Sequence, residues 1–439
     1  MSQSSQPSLQ RVIGVRGLAA AIFNITVGAG IFVLPAHAAG LLGSAAPLAY
    51  LVCAVAIALV ALCFAEAGSR VPQSGGPYAY VETAFGPYIG YLCGVLLWLG
   101  ITLAMGAVAT VFADSVAVLI PALAGFAWRV VIVVLLVGSL TLVNMRGAAL
   151  GSRLSGITIF AKLVPLVAFV ILGLPHVSSA NLAIGAVPPL GQVGSAGLLL
   201  MFAFFGMESA LQVSGEVVAP QRTVPRAIAL GLLGIALLYI AVQMVAQGLL
   251  GVALGSPENA KAPLAVAARQ FAGPAGARLI LIGTIVSTFG FMAAAMLSTP
   301  RTLYALAADG FLPKPLAAVH PGHHTPHVAI AVQAVVVCAI ALTGTYVKLA
   351  IVADVAILLV YLACSVAAWR LRQLNIGSDQ AFRMPVGSVV PWVAAGLLAF
   401  LLARATATAW LLTGGVVALA TLGYVARRRA NVIPAGAQS

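Results

Sequence analysis

Apolar stretches of helical length alternate with short polar loops along almost the whole chain of 439 residues. A helix needs about 20 consecutive apolar residues to cross the hydrocarbon core of a bilayer. About twelve stretches reach or approach that length. The pattern therefore predicts an all-α integral membrane protein with about twelve transmembrane helices. Their approximate positions are 18–40, 45–67, 88–119, 128–146, 155–174, 194–217, 227–251, 277–300, 327–344, 349–369, 388–405 and 408–426.

The composition supports the same class of protein. Hydrophobic residues make up 62% of the chain and charged residues only 7%, whereas soluble domains carry about 25% charged residues. The net charge of +13 does not indicate a nucleic-acid partner, because the basic residues concentrate in loops on one side of the predicted helices. Cytoplasmic loops are rich in lysine and arginine. We therefore expect a multi-pass protein of the cell inner (cytoplasmic) membrane with both termini, 1–17 and 427–439, in the cytoplasm.

The first apolar segment contains two glycines, Gly28 and Gly30, in the middle of a predicted membrane span. Glycine disfavours the interior of a helix. Backbone that leaves the helix at membrane depth must line a cavity or be buried in protein. The alternative is that both glycines are packing notches against another helix.

The sixth apolar segment offers a counterpart to this interruption. Gly206 lies at mid-segment and is followed by Glu208 and Ser209. Two interrupted segments, five helices apart, are typical of an inverted repeat of five plus five helices. We therefore predict a first repeat over 18–174, an inverted second repeat over 194–369, broken helices 1 and 6, and two peripheral helices over 388–426.

Four short boxes carry a resemblance to a known family. They read GAGIF at 28–32, EAGSRVPQSGGPYAY at 66–80, FFGMES at 204–209 followed by EVVAPQRTVP at 216–225, and RTLYALAADG at 301–310. In this order they resemble the amino acid permeases of the amino acid–polyamine–organocation (APC) superfamily. The resemblance implies a secondary transporter of amino acids that works by alternating access, with substrate bound between helices 1 and 6.

The two breaks predict where a small zwitterion binds. The N-terminus of a half-helix carries partial positive charge and exposed N–H groups, which suit a substrate carboxylate. The break near Gly206 leaves carbonyl groups free for an ammonium. The resemblance makes Phe202 an aromatic gate, and Phe205 and Met207 walls of the side-chain pocket. The predicted substrate-binding residues are Ile25, Thr26, Gly28, Ala29, Gly30, Ile31, Phe202, Phe205, Gly206 and Met207.

Lys162 is the second notable feature, because an ammonium inside a membrane span is costly and is by default a functional hypothesis. By resemblance, Lys162 occupies the place where sodium-coupled relatives bind sodium. It either loads and releases a proton during the cycle or acts as a fixed cation that holds helices 1, 5 and 8. We expect its neighbours to be carbonyls of the first break and Ser287 or Thr288. The structural alternative is that its long stem carries the ammonium to the cytoplasmic face.

Few other charged residues lie in the predicted spans. Glu208 is predicted to be a structural or gating carboxylate, and Asp354 to be solvated near a helix end. Glu66 and Arg70 either form an inner-gate ion pair or are solvated charges at a helix end. The histidines at 320, 323, 324 and 327 lie in a proline-containing loop without regular ligand spacing, so no metal site is predicted. Enzyme boxes such as HExxH, GxSxG and the P-loop are missing from the sequence, so neither catalysis nor a cofactor is predicted.

These observations predict a permease for L-amino acids, driven by proton symport or by exchange, with the lipid bilayer and possible protons as its other partners. The pocket segments hold little negative charge besides Glu208, which favours neutral substrates. The alternative is an antiporter of polyamines or cationic amino acids. A non-transporting sensor or a channel is the rival class, although the sequence lacks a visible ring of pore charges. Oligomeric state does not follow from the sequence.

Overall fold

A computed structural model describes residues 14–71, 76–146, 162–208, 217–377, 381–384 and 386–429. The predicted polar ends, the start of the fifth apolar segment and the end of the sixth lie partly outside these ranges. The regular elements of the described residues are helices. In chain order they are α1 (Val15–Thr26), α2 (Gly30–Leu42), α3 (Ala46–Arg70), α4 (Pro77–Phe85), α5 (Pro87–Leu119), α6 (Phe126–Arg146), α7 (162–173), α8 (Leu190–Phe204), α9 (Pro220–Leu250), α10 (Pro263–Ala308), α11 (His327–Thr343), α12 (Tyr346–Gln373), α13 (Val389–Leu402) and α14 (Ala407–Arg429).

The helices have the length and surface of membrane spans. Seven helical stretches in the described part of the chain are long and apolar enough to cross a membrane, and five shorter apolar helices accompany them. Large apolar side chains stand on their outer faces, including Leu135, Leu237 and Leu411. So many exposed large apolar side chains are unfavourable in water and match lipid. The chain is therefore an all-helical, multi-pass membrane protein.

Glycines set the close packing at the centre of the molecule. The long helix α5 packs along both α10 and α12. A Cβ at Gly100 would lie 2.5 Å from Ile357 Cγ1, and a Cβ at Gly106 would lie 2.4 Å from Ile340 Cγ2. Neither position has room for a methyl group, so these glycines let neighbouring helices approach α5.

Glu66 lies at the end of α3, and the sequence predicts for it either an ion pair or a solvated charge. The structure shows a fully buried carboxylate. It accepts hydrogen bonds from Arg70 Nε at 3.0 Å, from Arg372 Nε at 2.8 Å and from the Met384 backbone N–H at 2.9 Å. The cluster joins the end of α3 to the end of α12 and to the short segment 381–384.

Candidate functional site

The two helix interruptions lie against each other. Helix α1 ends at Thr26 and α2 begins at Gly30, so the helix is interrupted between them. Helix α8 ends at Phe204, and Gly206 follows with a φ of +132°. A Cβ at Gly206 would lie 2.9 Å from the backbone N of Thr26. The second break therefore touches the first through bare backbone.

Tyr239 of α9 connects the two interruptions. Its fully buried hydroxyl lies 3.1 Å from the Thr26 carbonyl oxygen and 2.9 Å from the Ala203 carbonyl oxygen. Both carbonyls lie in the last turn of a helix that ends at a break, where carbonyl groups lose their helical partners. Tyr239 thus helps to satisfy the ends of α1 and α8 with one side chain. The sequence offered no signal for this role beyond a tyrosine in an apolar run.

A cavity of about 160 Å³ opens at this junction. Of the substrate-binding residues predicted from sequence, the cavity wall includes Ile25, Thr26, Gly28, Ala29, Phe202, Phe205 and Gly206. Gly30, Ile31 and Met207 are buried but do not line it. Gly30 instead packs against α8, because a Cβ there would lie 3.0 Å from Ala203 Cα.

Further residues of α1 and of three other helices, which the sequence analysis did not name, complete the wall. They are Asn24, Gly100, Ile101, Ala104 and Val108, together with Gly290, Phe291, Ala294, Ala295, Ser298 and Ile357. They come from α1, α5, α10 and α12, and most are small or apolar. No spacing rule separates them from ordinary packing residues, although Asn24 was visible as a polar residue inside an apolar run.

Two polar atoms of the wall residues lack hydrogen-bond partners among the described residues. They are Asn24 Oδ1 and Thr26 Oγ1, and both are buried. A buried polar atom without a partner costs about 1–3 kcal/mol. Because both residues line the cavity, a polar ligand there would recover this cost.

Lys162 reaches the first break from α7. Its side chain is only 2% exposed, and Nζ donates hydrogen bonds to the Asn24 carbonyl and, at 2.9 Å, to the Val27 carbonyl. Ser287 Oγ of α10 lies 3.5 Å from the carbonyl oxygens of Val27 and Gly28. The ammonium therefore lies inside the protein and does not extend to a membrane face. It contacts the backbone at the end of α1.

Glu208 stabilises the second break. It is buried, and its Oε2 accepts the Gly206 backbone N–H at 3.0 Å and the Tyr361 hydroxyl at 2.6 Å. Gly206 is the residue with positive φ, so the carboxylate holds the turn at its sharpest point. Although Glu208 lines the cavity, one of its oxygens is engaged by these two donors.

Aromatic rings cover the cavity on the side of α8. Phe202 is 8% exposed and packs edge-on against Tyr346 with ring centroids 5.6 Å apart. Phe205 packs edge-on against Tyr361 at 5.6 Å. Edge-to-face pairs at this distance are favourable. Phe202 and Phe205 are therefore held by tyrosines of α12.

The expectation that Asp354 is solvated near a helix end was wrong. Its side chain is fully buried, and neither carboxylate oxygen has a hydrogen-bond partner among the described residues. Helix α12 begins at Tyr346, earlier than hydropathy indicated, so Asp354 lies two turns inside it. Hydropathy detects the apolar run but not where the polar first turn joins the helix.

Gly206→Ala is expected to destabilise the protein by about 2–4 kcal/mol, because alanine adds both backbone strain and overpacking. The new Cβ would lie 2.9 Å from Ile25 Cγ2 as well as from the Thr26 backbone. Thermal unfolding of the purified protein in detergent measures the loss. Gly138→Ala is the matched control, because nothing lies within 4 Å of its added Cβ. Equal melting temperatures for the two variants would contradict the prediction.

Comparisons with known proteins agree with the architecture. The sequence profile of the amino acid permease family matches residues 13–423. The methylthioribose transporter of Bacillus subtilis is 28% identical over 446 aligned positions, which cover 96% of this chain and 94% of that protein. The serine/threonine exchanger of the same organism is 29% identical and covers 88% of this chain and 89% of its own length. The branched-chain amino acid permease of Bacillus subtilis is 26% identical, and the alignment covers 91% of this chain and 89% of that protein. The chain therefore belongs to the amino acid permease family of the APC superfamily and is a membrane transporter.

Proposed function

We propose that this protein moves neutral L-amino acids across the cytoplasmic membrane by alternating access, either by proton symport or by exchange. The observation that carries the proposal is the cavity between two touching helix breaks, with unpartnered polar atoms on Asn24 and Thr26. Most of the remaining wall is apolar. Such a site offers polar recognition at one end and room for an uncharged side chain at the other.

The proposed topology is the twelve-helix arrangement with two inverted repeats. The first repeat spans 18–174, the second spans 194–369, and peripheral helices occupy 388–426, with both termini in the cytoplasm. The interruptions at 27–29 and 205–206 support it, because corresponding helices of inverted repeats break where substrate binds. Alternating access then consists of one bundle rocking against the other around this junction.

The proposed binding mode places the substrate carboxylate at the start of α2. The first N–H groups of a helix lack helical partners and carry the positive end of the helix dipole. No side chain caps these groups in α2. The proposed donors are the N–H group of Ala29, which lines the cavity, and those of Gly30 and Ile31, which follow it in the first turn of α2. The ammonium would meet carbonyl groups at the end of α8, where Ala203 is already bound by Tyr239.

Charge on the wall favours a neutral side chain. Lys162 donates to two carbonyls, and Glu208 accepts from Gly206 and Tyr361. Both charged groups are thus already engaged within the protein, Lys162 through Nζ and Glu208 through Oε2. This arrangement disfavours the alternative of a polyamine or cationic amino acid antiporter, which would need free carboxylates at the site.

Uptake into proteoliposomes tests the function directly. A panel of L-threonine, L-leucine, L-lysine, putrescine and methylthioribose covers the substrates suggested by the relatives and the alternatives. We expect saturable uptake and counterflow for a neutral amino acid. Flux without saturation would indicate a channel, binding without flux a sensor, and preferred uptake of putrescine or L-lysine would overturn the neutral substrate class.

Phe202→Ala is expected to raise the half-saturation concentration for the transported amino acid by about tenfold. Removing the ring opens the cavity beside Tyr346, and a lost aromatic contact of about 1.4 kcal/mol corresponds to that factor. Phe126→Ala is the control, because Phe126 is 69% exposed at the start of α6. Kinetics of initial uptake compare the two variants. An unchanged half-saturation concentration for Phe202→Ala would show that Phe202 does not act as the gate.

A further inference from the structure

A second cavity, of about 280 Å³, adjoins the first. Ser298 of α10 lines both. The wall of this second cavity is formed by Tyr78 of α4, by Gly94 and Leu97 of α5, and by one face of α10 that continues to Asp309. Nothing in the function proposed above uses this cavity.

One stripe of α10 runs through both cavities. Ala294, Ala295 and Ser298 face the first cavity, and Ser298, Arg301, Thr302, Ala305 and Asp309 face the second. These positions recur every three or four residues and therefore lie on one side of the helix. Arg301 lies one turn beyond Ser298, about 4.5 Å along the axis. The stripe forms a continuous path from the central cavity to the end of the helix.

Arg301 is the one guanidinium on this path, and it has no hydrogen-bond or ion-pair partner among the described residues. It is half-buried on the cavity wall. By contrast, Arg70 and Arg372 both bind Glu66. A free guanidinium presents five N–H donors in a planar fork that fits a carboxylate with two parallel hydrogen bonds. Asp309, about two turns further along, gives a compensating negative charge at the exposed end of the stripe.

We propose that this second cavity is an additional binding site for the same α-amino acid zwitterion, with Arg301 holding its carboxylate. The inference rests on the function proposed above. In the proposed orientation the site lies on the cytoplasmic side of the central cavity. It holds the substrate as it leaves or enters, one helical turn from Ser298. Asp309 disfavours simple anions, because they bring no ammonium to offset its charge.

Chemical labelling of Ala305→Cys tests the site. Ala305 is exposed and lines the cavity, whereas four of the five native cysteines are buried and Cys338 is half-buried. A membrane-impermeant maleimide is applied to everted membrane vesicles that contain the full chain, with L-leucine or L-threonine as the competing ligand. We expect the amino acid to slow labelling, whereas its amide, which lacks the carboxylate, does not.

The deciding comparison adds Arg301→Gln to Ala305→Cys. Losing a charge-assisted pair weakens carboxylate binding by about tenfold or more, so protection should disappear at the same ligand concentration. Arg370→Gln is the matched control, because Arg370 is an exposed arginine at the end of α12. Arg301→Lys keeps the cation but not the fork, and is expected to protect partially. If Arg301→Gln does not fold, the labelling comparison is made with Arg301→Lys instead.

Two results would overturn the inference. Equal protection from labelling with and without Arg301 would show that binding at the central site alone slows the labelling. Equal protection by the amide would show that the carboxylate does not contribute to binding. Failure of the proposed function is distinguishable, because the wild-type protein would then transport neither amino acid in the uptake panel.

Discussion

Lys162→Ala is expected to lower the rate of amino acid uptake by about a hundredfold. The substitution removes the donor to the Asn24 and Val27 carbonyls at the end of α1. Hydrogen bonds to a charged group contribute about 1.5–3 kcal/mol each, and about 3 kcal/mol corresponds to a hundredfold. Both carbonyls would stay buried without this donor, so the break would lose its geometry. Initial uptake into proteoliposomes measures the effect.

An imposed pH gradient separates the two roles proposed for Lys162. If the ammonium exchanges a proton, Lys162→Ala should lose gradient-driven accumulation while some counterflow persists without a gradient. If it is a fixed cation, both activities should fall together. Uptake that follows the gradient at unchanged strength would rule out Lys162 as the coupling group. Lys348→Ala serves as the control, because Lys348 is exposed near the start of α12.

The parts of the site that depend on local backbone could be predicted from the sequence. Gly28, Gly30 and Gly206 interrupt apolar runs, and in the structure α1 and α8 end beside these glycines. A charged residue in a predicted span is equally visible, so the sequence alone indicates a role for Lys162. These signals work because glycine in a span and an unpaired ammonium in lipid both carry a cost that demands a local explanation.

The parts that depend on long-range packing could not be predicted. Tyr239 contacts Thr26 and Ala203 across 213 and 36 residues of sequence, and tyrosine is common in membrane helices for other reasons. The part of the first cavity's wall contributed by α5, α10 and α12 consists mostly of alanine, glycine and isoleucine, which look the same in a packed core. Asp354 was misassigned because the pattern along one helix does not show which neighbours cover it.

Glu66→Ala is expected to cause the largest loss of stability, about 3–5 kcal/mol. Its carboxylate is the shared acceptor of Arg70 and Arg372, whose side chains are 8% and 24% exposed. Removing one partner of a buried ion pair leaves the other charge uncompensated, which is the costly case. Here two guanidinium groups and the Met384 N–H lose their acceptor together.

The measurement is the apparent melting temperature of the purified protein in detergent. The entropy of unfolding grows with chain length, so for 439 residues we expect about 1 °C per kcal/mol and a fall of about 3–5 °C. Glu258→Ala is the matched control, because Glu258 is exposed and its carboxylate makes a long contact, of 3.4 Å, with the Ser256 hydroxyl. Arg372→Ala should cost less in the Glu66→Ala background than alone, because the pair is already broken. Additive losses would mean that Arg372 stabilises α12 independently of Glu66, and the joint between α3 and α12 would then not depend on this carboxylate.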